Sequence, residues 1–461
     1  MATELSQSSW QQGTSLELDI TDLSDRGDGV GRWHGQRVVF VPDTVTGDRV
    51  RARLVRVKRN FAHAKLQAVL VPSTHRQRAR CIVADKCGGC QWQHVTDAYQ
   101  QTAKQDLVRQ ALQRLGGFED PPLEPLLTAS DSLSYRNKAS YPLGRSRSGQ
   151  VQAGYYRKGS HQLVNLNRCP IQDMRLDPLL AAVKQDIQAQ NWSIYNEHQH
   201  HGKLRHLSLR IGRHTGETLL TLIATTANIP NLEAVAQQWL EHHPQLVGVA
   251  LNLNADRTNA IFGTHTHTIA GRSYLEERFA DLRVHLRPET FFQVNTEAAE
   301  ALYRDIEQHL QLQGSETLVD AYCGIGTFTL PLARRLHQAI GIEVQASAVK
   351  QARENAALNG ITNVEFQTGS VAVLLPRLEI APDIVLLDPP RKGCDRPVLE
   401  TLIQQAPARI VYISCKPATL ARDLKILCAS GRYRLERARP ADFFPQTAHV
   451  ECVAFLNRIE T

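Results

Sequence analysis

The chain has 461 residues, 42% of them hydrophobic and 21% charged, and a formal net charge of +7. That composition is globular and excludes a disordered or fibrous chain, while the length implies several domains. No apolar run reaches the roughly 18 residues of a spanning helix, and the first residues show neither a basic start nor an apolar stretch; a cytoplasmic protein without a membrane partner is expected. Charge is uneven. Residues 1–170 hold 24 Lys and Arg against 15 Asp and Glu, the remainder 29 against 31. Such asymmetry fits either a phosphate-backbone partner for the first third or a well-solvated basic surface.

Residues 1–14 read as a loose polar tail. Residues 15–72 read as five short strands in an OB-like barrel, an oligonucleotide-binding architecture: LELDI, RVVFVP, RVRARLVRV and HAKLQAVLV alternate, with turn clusters at DRGDGVGR and DTVTGDR. Arg49, Arg51 and Arg53 alternate along one strand and share a face, followed by Arg56, Lys58, Arg59 and Phe61. Basic side chains beside an aromatic suit single-stranded nucleic acid; a charged edge strand is the plain alternative. Residues 73–280 form a central, mostly β region, with a helix over DAYQQTAKQDLVRQALQRLGG that ends at a glycine pair, and helix-like pieces at 176–189 and 231–242. It holds a second basic group, Arg136, Lys138, Arg145, Arg147, Arg157 and Lys158. The interspersed Tyr135, Tyr141, Tyr155 and Tyr156 suit base stacking or plain sheet packing. Residues 281–461 form the last domain. From about 315 apolar strands alternate with helices, the pattern of a doubly wound parallel sheet whose ligands bind beyond the strand carboxyl ends.

Three of the nine cysteines, Cys81, Cys87 and Cys90, fall within ten residues around a Gly-Gly pair, and Cys169, followed by Pro170, makes a fourth. Four thiolates suit a structural zinc or an iron–sulfur cluster. One short pair with an outlier on each side departs from the usual zinc pattern and leans towards iron–sulfur. Cys428 and Cys452 read as small buried apolar residues.

The run Asp320-Ala-Tyr-Cys-Gly-Ile-Gly-Thr327 turns the first strand of the alternating region into a helix. It lacks the third glycine of a dinucleotide fingerprint. Glu343 ends the second strand, where a carboxylate accepts ribose hydroxyls. A glycine turn with a strand-end acid and no phosphate cradle fits S-adenosylmethionine better than NAD. Asp388-Pro389-Pro390 ends the fourth strand in a stiff loop. Arg391 stands where amino-group methyltransferases place a stacking aromatic, which disfavours methylation of an exocyclic amine. The fifth strand delivers Cys415 to the same edge, ahead of Pro417 as a first helical residue, so the helix dipole and Lys416 are expected to favour its thiolate. Beside a methyl donor, a thiolate activates uracil. Addition to carbon 6 makes carbon 5 nucleophilic, and a base must then remove the carbon-5 proton. Glu451 is the candidate base and His449 its competitor.

With these residues in hand the chain resembles the RNA uracil-5-methyltransferase family, in particular its TRAM-domain, iron–sulfur subfamily that modifies 23S rRNA. GDGVGR and VPDTVTGD resemble the TRAM domain. C-x5-C-G-G-C with NRCPI resembles the cluster-binding set, and FFQVN, DAYCGIGTF, GIEV, LDPPRKG and SCKPATLARD the methyltransferase motifs. The resemblance implies a class I methyltransferase fold and S-adenosylmethionine bound by Gln293, Tyr322, Glu343 and Asp388. It also implies Cys415 as nucleophile, Glu451 as base, and a [4Fe-4S] cluster on Cys81, Cys87, Cys90 and Cys169. The implied partner is RNA, 23S rRNA rather than tRNA, with no DNA. A non-catalytic RNA-binding assembly factor is the rival of a different class. Lys416 replaces the family's usual Asn beside the nucleophile.

Overall fold

The structure, a computed structural model, describes residues 10–129 and 131–460; most of the expected N-terminal tail lies outside them. Five strands, β1 (Ser15–Leu23), β2 (Gly29–Trp33), β3 (Arg37–Val41), β4 (Arg49–Val57) and β5 (Phe61–Val71), close a barrel in the order β1-β2-β3-β5-β4. Period-two alternation builds it, with Leu16, Leu18 and Ile20 of β1 turned into its core. Residues 10–14 are tied down rather than loose: the Trp10 indole donates to Lys58 O at 2.8 Å and stacks on Trp33. Part of the expected turn DRGDGVGR is strand β2. A Cβ at Gly29 would fall 1.9 Å from Thr44 Oγ1, so glycine serves close approach there, not turning. Arg49, Arg51 and Arg53 do share a face. The antiparallel register, however, sets Glu17 opposite Arg51, and Glu17 binds Arg51 at 2.9 Å and Arg49 at 3.7 Å, partly neutralising that row.

Helix α1 (Asp97–Ala111) runs into one wider turn and stops at Gly117, φ 76°, as the glycine pair predicts. Val108 and Leu112 pack into the C-terminal core beside Leu420 and Leu424. The buried Lys104 ammonium donates to Asp442 at 2.6 Å. The central region contributes β6 (Lys138–Arg145), β7 (Val151–Tyr156), β8 (Leu163–Asn165), α2 (Asp177–Ala189), β9 (Leu204–Ile211), β10 (Thr218–Ala224), α3 (Leu232–His242), β11 (Leu246–Leu253) and β12 (His265–Gly271). Its seven strands lie in the order β12-β11-β10-β9-β6-β7-β8, with α2 and α3 packed in its core. Tyr135 and Tyr141, weighed above for base stacking, are 2% and 1% exposed and belong to the core; of the four tyrosines only Tyr156 is exposed.

The hairpin β13 (Leu275–Phe279) and β14 (Leu282–Leu286) leads through α4 (Thr296–Leu310) into the C-terminal domain. There β15 (Thr317–Ala321), α5 (Thr329–Ala333), β16 (Gln338–Glu343), α6 (Ala346–Leu358), β17 (Val364–Thr368), α7 (Val371–Leu374), β18 (Ile384–Leu387), α8 (Arg396–Gln405), β19 (Arg409–Ser414), α9 (Pro417–Ala429), β20 (Tyr433–Ala441) and β21 (Glu451–Arg458) make a sheet ordered β17-β16-β15-β18-β19-β21-β20. The first five strands in that order are parallel, and β21 runs antiparallel to β19 and β20. Apolar cores cover both faces, as a doubly wound sheet requires. The reversal of β21 matters for the site. It brings the start of β21 to the edge where β15, β18 and β19 end. Among the described residues no helix is long and apolar enough to cross a membrane.

Candidate active site

The turn after β15 holds three left-handed residues: Tyr322 (φ 80°), Gly324 (φ 57°) and Gly326 (φ 82°). Glycine adopts this conformation freely, whereas Tyr322 is held in it at a cost. Its N–H and that of Cys323 both donate to Ile342 O, at 2.9 and 3.0 Å, which fixes the turn against β16. Glu343 accepts from Gly324 N at 3.2 Å and Gln345 N at 2.8 Å, closing the same turn. A Cβ on Gly324 would meet nothing within 4 Å, so the turn opens onto space. Behind it Asp320 accepts from Thr329 Oγ1 at 2.5 Å, and burial pushes its carboxyl up to about 7. Gln293, buried, lies in the loop before α4. Its backbone oxygen is taken by Asn137, while its side-chain amide has no partner among the described hydrogen bonds. The Tyr322 hydroxyl has the Cys394 thiol as a neighbour, and burial raises its pKa.

Cys415 follows the last residue of β19, and Lys416 caps α9. The β19–β21 ladder ends at Ser414↔Cys452, so its next step sets Cys415 against Glu451. Opposed positions on an antiparallel pair bring side chains within about 5 Å. Asp388, just past β18, joins them: its N–H reaches Ala321 O at 3.5 Å. The three groups feel one another. Burial, then the Glu451 and Asp388 carboxylates, push the Cys415 thiol up to about 11, opposed by Arg391. Burial and the two acids thus oppose the thiolate that the helix end favours, and Lys416 is exposed. Burial and Asp388 push Glu451 up to about 8, and burial pushes Asp388 up to about 7. Asp388 lies close enough to Asp320 to raise it, which links the glycine turn to the thiol. His449 is exposed and edge-on to Phe444 at 5.9 Å. Partial desolvation of the ring against its neighbours, then Arg391, hold it below the usual range although its outer edge is exposed, and it is not among the groups that act on Cys415.

Sequence reasoning missed the group beneath this edge. Asp423, fully buried on α9, accepts from Tyr412 Oη of β19 at 2.6 Å and from the Cys394 N–H at 3.0 Å. Arg422 Nε also donates to it, at 2.7 Å, and Arg422 Nη2 donates to Lys392 O at 3.0 Å. Gly393 sits at φ 79°, where a Cβ would fall 2.5 Å from Asp423 Oδ2. One carboxylate thus ties together the Asp388 loop, the strand that ends at the thiol and the helix that follows it. The Arg-Asp pair within LARDL was visible in the sequence, but its partners stand 11 and 29 residues away.

Cys81, Cys87, Cys90 and Cys169 are free thiols brought to one corner, where the Cys81–Cys90 loop meets β7. Burial raises Cys90 to about 11 and Cys169 to about 12, and each also feels other thiols of the set. Backbone N–H groups aim at two of the sulfurs: Gly89 at Cys87 (3.4 Å), and Ile171 and Gln172 at Cys169. Among the described residues, however, no three His, Cys, Asp or Glu side chains are drawn together closely enough to hold a metal ion.

Comparison with known proteins places the chain in a family. The tRNA (Uracil-5-)-methyltransferase family matches residues 98–374 and 377–459, and the TRAM domain matches residues 9–67. An uncharacterized RNA methyltransferase of Nostoc sp. is 63% identical over 452 residues, 98% of each chain. One from Synechocystis sp. is 57% identical over 450 residues, 98% of this chain and 97% of its own. The crystal structure of Pyrococcus abyssi tRNA (uracil-54, C5)-methyltransferase in complex with S-adenosyl-L-homocysteine superposes with a TM-score of 0.77 at 26% identity, covering 95% of this chain and 99% of that one. Matched over most of its length, the chain belongs to the tRNA (uracil-5-)-methyltransferase family and carries a TRAM domain at its N-terminal end.

Proposed function

We propose that this protein is a cytoplasmic enzyme that methylates carbon 5 of a uridine in RNA, with S-adenosylmethionine as donor. The observation that carries this reading is the meeting of Cys415, just past β19, with Glu451, at the start of the antiparallel β21, beside Asp388 and two strands from the open glycine turn. The residues present fit the cofactor: the Gly324 turn is open, Glu343 and Asp388 are acids at strand ends, and the Gln293 amide is unpartnered among the described residues. Bound there, the cofactor supplies a methyl group on a sulfonium. The target base must leave its stack to reach the thiol. Cys415, as thiolate, adds to carbon 6 of the uracil, and the electron pair moves onto carbon 5 and the carbonyl oxygen. Carbon 5 would take the methyl group, the S–methyl bond breaking with its electron pair left on the donor's sulfur as a neutral thioether. Glu451 then removes the carbon-5 proton, the carbon 6–sulfur bond breaks, and the thiolate is released. Glu451 is buried and its carboxyl lies near neutrality, which suits a group that accepts a proton and returns it.

The RNA is 23S rRNA on the reading that the four-cysteine set marks the iron–sulfur subfamily. The solved relative acts on uracil-54 of tRNA, and that favours tRNA as the second reading. On this reading, carried by the motif resemblance, a [4Fe-4S] cluster sits on Cys81, Cys87, Cys90 and Cys169; the thiols are free, but among the described residues they are not gathered as tightly as a bound metal requires. The expected result is iron and acid-labile sulfide with a broad visible absorbance; zinc alone contradicts it. The substrate is tested by mass mapping of modified uridines in ribosomal and transfer RNA from cells lacking this protein. Loss of one 5-methyluridine in 23S rRNA is expected. Loss in tRNA alone contradicts the rRNA assignment, and no loss in either pool contradicts the function.

A further inference from the structure

A groove of about 1710 Å³ runs along β6 and β7 of the central sheet, outside the site just described. Five arginines line it, Arg136, Arg145, Arg147, Arg205 and Arg257, together with Lys138. None of the six makes an ion pair with a carboxylate among the described residues. Four of them donate to backbone carbonyls: Arg136 Nε to Lys138 O at 3.0 Å, Arg145 Nη2 to Trp192 O at 3.0 Å, Arg205 Nη1 to Asn254 O at 2.8 Å, and Lys138 Nζ to Pro288 O at 2.9 Å; Arg145 also reaches the neutral Gln188 Oε1 at 3.5 Å. A carbonyl orients a guanidinium without cancelling its charge. The one carboxylate in the lining, Glu197, lies 3.0 Å from His161 Nδ1. The barrel row of Arg49 and Arg51 is different, because Glu17 faces it.

Flat surfaces accompany the charge. Tyr156 is exposed and stacks on His161 with ring centroids 5.0 Å apart and planes 18° apart. Arg205 lies over the Tyr195 ring at 4.9 Å, and the Tyr195 hydroxyl is 2.8 Å from His200 Nδ1. One lining residue is tied to the loop that carries Gln293. Lys138 holds Pro288 O, Asn137 N donates to Val294 O, and the 287–295 loop contains Gln293. Asn295, at the end of that loop, donates to Phe443 O in the segment that leads into Glu451.

We propose that this groove binds the single-stranded RNA that continues from the target uridine. The exposed Arg145, Arg147 and Arg257 neutralise its phosphates, and the Tyr156–His161 surface stacks its bases, while the buried Arg205 holds the 254–258 loop that carries Arg257. The proposal rests on the reading of the chain as an RNA enzyme and assigns the main phosphate contacts to the central groove rather than to the barrel arginines. Unpaired cations with stacking platforms match the recognition of unpaired strands, whereas a duplex would present its backbone and hide its base faces.

The test compares the full-length protein with its R145E/R147E/R257E variant, all three positions being exposed. The probe is a labelled single-stranded oligoribonucleotide with one uridine, read by fluorescence anisotropy over a salt series. S-adenosylhomocysteine affinity and the thermal midpoint confirm that the variant is folded. The expected outcome is at least a tenfold loss of affinity and a flattening of the logarithmic salt dependence by about 2, at roughly 0.7 for each single-strand phosphate that is no longer neutralised. An R49E/R51E variant should change both far less. Unchanged affinity and salt slope in the groove variant overturn the proposal, as does equal loss in the barrel variant. Blunt duplex RNA held as tightly as the single strand overturns the single-strand assignment. Binding is read without turnover, so a protein that binds this probe in the groove yet methylates no uridine would refute the function and leave the groove intact.

Discussion

Two acids and a thiol at one strand edge make the site dependent on pH. Glu451 must be ionised to take a proton, and burial with Asp388 holds it up to about 8. Activity at limiting substrate is therefore expected to rise with pH through about 8 as Glu451 ionises and to keep rising as the Cys415 thiol, held at about 11, ionises, a profile that steady-state kinetics over a pH series would show; a flat profile from 6 to 9 contradicts the assignment. The same shifts predict a cost in stability. Asp320 and Asp388 at about 7, and Glu451 at about 8, all lie above the value near 4 of an unfolded chain. Their contribution is complete below that unfolded value and is lost as pH rises through 7 and 8. Asp388→Asn removes one of these ionisations. The variant should be inactive yet melt higher than the parent above about pH 8, the signature of a site kept strained for function. A lower melting point at that pH would mean that Asp388 is structural.

At the scale of elements, the arrangement depends on how α9 is joined to the loop after β18. Asp423 accepts from Tyr412, three residues before Cys415, and from Cys394, six residues after Asp388. Asp423→Asn keeps the shape but cannot accept from both donors equally well, and it weakens the Arg422 interaction. The expected result is a fall in kcat of about tenfold or more, with the KM for RNA little changed and about 1–3 kcal/mol of stability removed. A variant that loses stability but keeps kcat would show that the network only holds the fold. Gly393→Ala tests the same junction from the other side, since its Cβ would strike Asp423 and φ 79° disfavours any side chain; stability and kcat should fall together, measured by melting and turnover.

For the whole molecule, what the sequence revealed followed the range of the interactions. The glycine turn, Glu343, Asp388 and Cys415 could be read because each stands at the end of a strand whose apolar run announces it. The barrel and the alternating C-terminal sheet were legible for the same reason, through local periodicity. Features set by pairing across the fold were not. Glu17 meets Arg51 only through the β1–β4 register, Tyr141 is buried in the core of the central sheet while Tyr135 donates to Pro445 O far along the chain, and the groove gathers Arg257 to Arg145 at the end of β6. The rise of the Cys415 thiol was hidden too, since local sequence shows the helix end but not the acid across the ladder. Lys104 shows the same principle on the largest scale: its buried ammonium meets Asp442, far along the chain. Lys104→Ala should cost about 3–5 kcal/mol in a denaturant melt, because the acid is left buried and unpaired.

The account stands on Cys415 as the atom that bonds to the base and on Glu451 as the group that frees it. The most direct measurement is peptide mass spectrometry of the Glu451→Gln variant after incubation with uridine-containing RNA and S-adenosylmethionine, followed by nuclease and protease digestion. The expected result is a methylated uridine nucleotide covalently attached at Cys415, stable because the carbon-5 proton cannot be removed. A nucleotide attached at another residue, or released 5-methyluridine formed at the parent rate with no adduct, would contradict it.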